Sequence, residues 1–160
     1  MTNGDTALTD VEFEKLKEGF HVWITLPIQW GDQDAFGHVN NTVYLRWFES
    51  ARIEYGDRAA LSQTGAGNTV GPILAAISCN YRRQLTYPDT IHVGARITKI
   101  GNSSLKMEHR IISQALGAVA ADGDSTLVAF DYAAQKPVPV PDVVRTAIEK
   151  IEEKSFPAQR

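Results

Sequence analysis

Between His21 and Trp30 the apolar residues take every second position, Val22, Ile24, Leu26, Ile28 and Trp30, with Thr25, Pro27 and Gln29 between them. A period of two marks a half-buried strand, and Pro27, which has no N–H for a ladder, places it at a sheet edge or a bulge. The period then changes. In the segment 41–61, NTVYLRWFESARIEYGDRAAL, Tyr44, Trp47, Phe48, Ala51 and Tyr55 recur at helical spacing, while Arg46, Glu49 and Asp57 fall on the other side. The spacing predicts a helix of about five turns, starting at Asn40 or Asn41, whose aromatic face needs a broad cover.

The remaining chain supplies that cover. Gly65 to Gly71 reads as a loop, and from Ile73 to Tyr132 the pattern is that of strands: Ile91, Val93, Ala95 and Ile97 alternate, as do Leu105, Met107, His109 and Ile111. Turn signals at Tyr87-Pro88-Asp89, Gly101-Asn102 and Leu116-Gly117 predict four strands in an antiparallel meander. Asp122-Gly123 is read as a bulge, because a turn at Leu116-Gly117 gives partners of similar length, Ser104 to Gln114 and Ala118 to Tyr132. At the ends, Thr9-Asp10-Val11-Glu12 fits a capping box for a short helix that stops by Gly19, and Asp142 with Val144, Ile148 and Ile151 predicts a terminal helix reaching Lys154.

This order of elements is an α+β layout, an antiparallel five-stranded sheet wrapped around a long central helix. It divides the chain into an N-terminal extension (1–20), one domain (21–135), and a C-terminal linker and helix packed on that domain (136–160). A sheet curled around one helix leaves an edge and a face uncovered, which predicts pairing with a second copy: a homodimer, with further pairing into a tetramer left open.

Composition narrows the partners. A chain of 160 residues suits a single domain, and a net charge of -3 speaks against nucleic acid and anionic membranes. No window approaches the roughly 18 apolar residues of a membrane span, and no basic stretch precedes an apolar one near the start, so a cytoplasmic location is expected. In that compartment the sequons at Asn40 and Asn102 carry no meaning. Cys79, the single cysteine, lies in ILAAISCNY and reads as a buried, inert thiol. His21, His92 and His109 are scattered, with no partner at ligand spacing, so no metal site is expected.

Candidate chemistry is concentrated in GDQDAFGHVNN, residues 31–41, immediately before the aromatic helix. Asp32 and Asp34 would share a side if the strand continued that far. They could then hold a metal for a nucleotide-sugar transferase, but there is no Gly-rich phosphate loop; a glycosidase pair would need a sugar cleft that nothing suggests. The third reading uses the helix. Its first free N–H groups and positive dipole end face the loop carrying Asp34, so a carbonyl between them meets donors on one side and a carboxylate on the other. That geometry suits acyl transfer, and a thioester is activated enough for so weak a base or nucleophile as an aspartate. Asp32 is read as a brace that accepts backbone N–H bonds.

These residues resemble the hotdog-fold acyl-CoA thioesterases of the 4-hydroxybenzoyl-CoA thioesterase family. The likeness rests on QWGDQDAFGHVNNTVYLRWFESAR, SCNYRRQLTYPDTIHV, ITKIGNSSLKMEHRI and STLVAFDY, in that order over roughly Ile24 to Pro141. It implies the hotdog fold, no cofactor, and hydrolysis of an acyl-CoA to free acid and CoA. Asp34 would be the catalytic carboxylate, nucleophile or general base, with the thioester carbonyl near the backbone N–H of Asn41. His38, Asn40, Tyr44 and Trp47 would line or support the acyl site, although Trp47 equally fits a core filler. The resemblance also implies a CoA site at the dimer interface. Where some relatives have a basic run before the fourth strand, this chain has Gly101-Asn102-Ser103-Ser104, so the phosphate contacts fall to Arg82, Arg83, Ser104 or Lys106. Arg82 and Arg83 would alternate in direction on a strand, leaving at most one for a given groove. An acyl carrier protein ester as substrate, and a non-catalytic acyl-CoA-binding module, are the alternatives.

Overall fold

A computed structural model of the chain describes residues 8–61 and 67–158; part of the loop expected at Gly65 to Gly71 lies outside them. The elements run α1 (Asp10–Leu16), β1 (Val22–Pro27), α2 (Asn41–Arg58), β2 (Val70–Tyr81), β3 (Thr90–Ile100), β4 (Ser104–Ser113), β5 (Ala118–Asp131), β6 (Lys136–Pro137) and α3 (Asp142–Glu152). The architecture is the expected α+β, a curled antiparallel sheet with a few helices. The capping box holds, with Thr9 and Glu12 bonding each other's backbone N–H groups. α2 has 18 residues and ends at Arg58, short of Leu61. α3 starts at Asp142, after Pro141 at its N-cap, and ends at Glu152, short of Lys154.

The strand order is β1-β3-β4-β5-β2, with the short β6 added along β5 beyond the end of β4. This corrects the predicted four-strand meander, which holds only for β3 to β5. β2 pairs with β5 over its whole length and not with β3. The segment 82–89 is the reason. It turns its backbone groups elsewhere: the N–H groups of Arg82 and Arg83 bond the Ala120 carbonyl, and the carbonyls of Leu85 and Asp89 accept from Val39 and Ile28. The Tyr87-Pro88-Asp89 signal therefore ends a crossing from the edge strand β2 to the inner strand β3 instead of closing a hairpin.

α2 lies against β1, β2 and β3. Its expected apolar face is the buried one, with Tyr44, Trp47, Phe48, Ala51 and Tyr55 set into a core with Val93, Ile97 and Met107. The predicted bulge at Asp122-Gly123 is displaced: the β4–β5 register shifts opposite Ile111/Ile112, and Gly123 pairs in regular register with Cys79 and His109. Glycine stands there for space, because a Cβ would collide with the Ser78 carbonyl and the Phe48 ring.

One polar contact fastens α3 to this core. Glu152, 8% exposed, accepts from the Tyr55 hydroxyl and from the Ile97 backbone N–H, both at 2.7 Å. Burial, reinforced by the bond to this carboxylate, drives the Tyr55 phenol well above its ordinary range. Replacing Glu152 with Ala leaves two fully buried donors without acceptors, at about 1–3 kcal/mol each. Urea unfolding of Glu152→Ala should therefore show a loss of about 3 kcal/mol, and Glu152→Gln, which keeps an acceptor, a smaller one. Equal stability of Glu152→Ala and the parent would show that the contact contributes nothing.

Candidate active site

β1 ends at Pro27, and the chain then winds into a single 3-10 turn over Trp30–Asp32. The strand therefore does not extend to Asp34, and the two aspartates do not share a face. Asp32 is buried, accepting from the Gln29 N–H at 2.8 Å and from Arg46 at 2.8 Å, while its carbonyl receives the Asn40 N–H. It braces the loop, as the sequence suggested. Among the described residues no group of three or more His, Cys, Asp or Glu is placed to hold a metal ion.

From this anchor the loop folds back on itself. The Asp34 N–H bonds the His38 carbonyl at 2.9 Å, the Gly37 N–H returns to the Asp34 carbonyl at 3.0 Å, and Gln33 bridges to Val39. Gly37, at φ +77°, occupies a conformation that side chains disfavour. The tight turn presents the Asp34 carboxylate outward. One of its oxygens accepts from the Phe36 N–H at 2.9 Å; among the described residues the other has only the Asn40 amide, at 3.5 Å, which is too long for a strong hydrogen bond.

Asn40 caps α2. Its side-chain oxygen accepts from the N–H and hydroxyl of Thr42, and its carbonyl takes the Val43 N–H. Those bonds take up the Thr42 and Val43 N–H groups and leave the Asn41 N–H, the first of the helix, with no acceptor among the described residues. Asp34, His38, Asn41 and Tyr44 line one cleft of about 320 Å³ with Tyr81, Arg82 and Arg83. The first residue of the helix and the residue with the underbonded carboxylate thus line the same space.

The rest of the cleft comes from the end of β2. Tyr81 donates to the Asn41 carbonyl at 3.1 Å and packs edge-on against Tyr44, whose phenol is pushed up to about 12 by burial. Arg82 and Arg83 both reach the cleft, contrary to the alternation expected of a strand, because β2 stops at Tyr81. Arg82 grips Asp122 through two bonds of 2.9 and 3.1 Å, which hold the Asp122 carboxyl below its usual range; the Arg83 guanidinium has no acidic partner among the described residues. Cys79 is half-buried and its thiol is raised by burial, in keeping with an inert role.

Three predicted residues stand apart from the cleft. Trp47 is 4% exposed, beneath Tyr44 in the core. Lys106 pairs with Thr126 while Tyr81 pairs with Ala121, which sets them roughly 16 Å apart along β5, and Ser104 lies further still. Arg46, Tyr81 and Asp122 are contributors that the sequence did not single out; only their partners distant in the chain reveal them. A larger cleft of about 520 Å³ opens beside Glu108, Arg110 and Asp122, but Asp34 does not line it, and its Arg110 is bonded to the Leu16 carbonyl behind α1.

The family model of the thioesterase-like superfamily matches residues 28–148. The chain belongs to that superfamily. It is a thioester hydrolase, and its relatives agree. It is 33% identical to a Thermus thermophilus thioesterase solved in complex with coenzyme A and Zn, covering 87% of this chain and 99% of that one at a TM-score of 0.76. A putative thioesterase of Pseudomonas aeruginosa, PA2801, is 32% identical over 81% of this chain and 98% of its own, at a TM-score of 0.72. The long-chain acyl-CoA thioesterase FadM of Escherichia coli K12 is 25% identical over 118 residues, 74% of this chain and 89% of that protein. Among the described residues no helix of this hydrolase is long and apolar enough to cross a membrane.

Proposed function

We propose that the chain is a cytoplasmic acyl-CoA thioesterase of the 4-hydroxybenzoyl-CoA thioesterase type, a hotdog domain in which Asp34 and the start of α2 act together. What supports this reading is that Asp34, with an underbonded oxygen, and Asn41, whose N–H has no acceptor among the described residues, line one cleft. The thioester carbonyl oxygen sits at the Asn41 N–H, where that donor and the helix dipole stabilise the negative charge of the tetrahedral state. Asp34 then works in one of two ways. As nucleophile, it attacks the carbonyl carbon and expels the CoA thiolate, and water hydrolyses the resulting mixed anhydride. As general base, it takes a proton from water as that water attacks. Either route yields free acid and CoA without a metal or cofactor.

His38, Asn40 and Tyr44 support the acyl end of the cleft, and Arg83, with no acidic partner among the described residues, serves the CoA phosphates beside an Arg82 held by Asp122. The domain works as a homodimer: β2 is a 12-residue edge strand, paired on one side only, and exposes Ile73 and Leu74, while Phe36 stands 87% exposed at the tip of the Asp34 loop. Ser104 and Lys106, distant from the cleft of their own chain, could serve a CoA only across such a pairing.

Thiol release from a panel of aromatic, short-chain and long-chain acyl-CoA esters, alongside the same acyl groups on acyl carrier protein, tests the proposal. The expected result is turnover of CoA esters well above that of carrier-protein esters. The reverse preference would move the substrate to the carrier protein. Tight binding without hydrolysis would make the chain a sensor and end the enzymatic reading.

A further inference from the structure

α2 and the edge strand β2 also line a second cleft, which shares no lining residue with the Asp34 cleft. The two elements run side by side, with Tyr81 meeting Asn41 at one end. At the other end, Pro72 and Leu74 face Ile53 and Gly56 across this second cleft, of about 230 Å³, with Leu127 of β5 beside them. Its walls are mainly apolar. Two charged side chains line it, Glu49 and Arg52, and of these Arg52 is the withdrawn one, its side chain only 10% exposed against 62% for Glu49.

This guanidinium is poorly partnered. It reaches Ser125 Oγ at 3.4 Å and Glu49 at 4.0 Å, and the Glu49 side chain is 62% exposed. Arg46, Arg58, Arg82 and Arg96 each hold a carboxylate at between 2.5 and 2.9 Å. Among the described residues no carboxylate other than that of Glu49 acts on Arg52. Ser125 is bonded to the His109 ring at 2.8 Å, and burial, with the nearby Arg52 charge, holds that imidazole down at about 3, so it is neutral. A cation withdrawn from water without a close counter-ion is costly unless something else supplies one.

We propose that this second cleft receives the far end of the substrate's acyl group, and that this end carries a carboxylate bound by Arg52. The inference rests on the proposed function above, which sets the thioester at Asn41. Arg52 follows Asn41 by about 16 Å along the helix axis, and long helical side chains lean back toward the N-terminus, which shortens the gap to roughly 10–16 Å. An extended chain advances about 1.2 Å per bond, one third of the reach of a backbone residue. An acyl chain of around ten carbons therefore spans the distance, its methylenes against the apolar walls and its terminal carboxylate at the guanidinium.

The test compares sebacoyl-CoA, which ends in a carboxylate, with decanoyl-CoA of the same length. Affinities are measured by calorimetry on the Asp34→Asn protein, so that turnover does not interfere. Sebacoyl-CoA should bind at least about tenfold more tightly, the scale of a hydrogen bond to a charged group. Adding Arg52→Gln should bring the ratio close to one, while Arg52→Lys, which keeps the charge, should retain part of it. Equal affinities, or a preference that survives Arg52→Gln, overturn the inference. So does dissociation of the protein into single chains by Arg52→Gln with the ratio unchanged, which would assign Arg52 to a carboxylate of a second copy. Hydrolysis of decanoyl-CoA together with equal binding removes only the inference. A tenfold preference with neither ester hydrolysed supports distal recognition and removes the enzymatic reading instead.

Discussion

Asp34→Asn should hydrolyse acyl-CoA about 10²–10⁴-fold more slowly than the parent, the usual contribution of a positioned acid or base, while melting at the same temperature. The amide has the size of the carboxylate and can still accept the Phe36 N–H that shapes the loop. Its backbone bonds to His38 and Gly37 do not involve the side chain. The charge and the basic oxygen facing the cleft are what disappear. Comparing kcat with the melting temperature separates the two roles: a fall in both would mean that Asp34 chiefly holds the loop together, and a fall in kcat alone fits a carboxylate acting on substrate. Asp32→Asn offers a contrast, because Asp32 is buried against Arg46 and the Gln29 N–H. Its loss should register first in stability.

Much of the architecture was legible because the strongly periodic segments answer to local physics. Alternation in residues 91–97 and 105–111 and the aromatic stripe of α2 appear in the structure as the buried faces of β3, β4 and α2. The helix start at Asn40 and Asn41 could be read from cap chemistry alone. Pairing order could not. Nothing within VGPILAAISCNY distinguishes a strand that joins the next one from a strand that joins the last, and β2 found β5. Gly123 was misread for a related reason: an Asp-Gly pair signals local bending, whereas here the glycine admits the Ser78 carbonyl and the Phe48 ring from other elements.

The site divides in the same way. Asp34, His38, Asn41 and Tyr44 lie within eleven residues, so one motif brought all four to notice, and the structure sets them around a common cleft. Contributors from elsewhere in the chain had no such signal. Glu152 sits in a charged helix beside Glu149 and Glu153, and only its bonds to Tyr55 and Ile97 set it apart. Arg52 looks like any polar position between Ala51 and Ile53 until its burial and its distant acids are known. Trp47 is the opposite case, since its spacing fitted a substrate contact and a core filler equally and it lies within the core.

The pairing of the Asn41 N–H with Asp34 across the cleft can be tested by one substitution that removes the donor and little else. Proline is well suited to the first position of a helix, where its missing N–H breaks no internal bond. Asn40, at φ -62° and ψ 141°, already has the extended backbone that a following proline requires. Asn41→Pro should therefore fold with the stability of the parent and lose about 10²–10³-fold in kcat, the usual cost of an oxyanion donor. Stable Asn41→Pro protein that turns over acyl-CoA at the parent's rate would contradict the assignment of the carbonyl to this helix end.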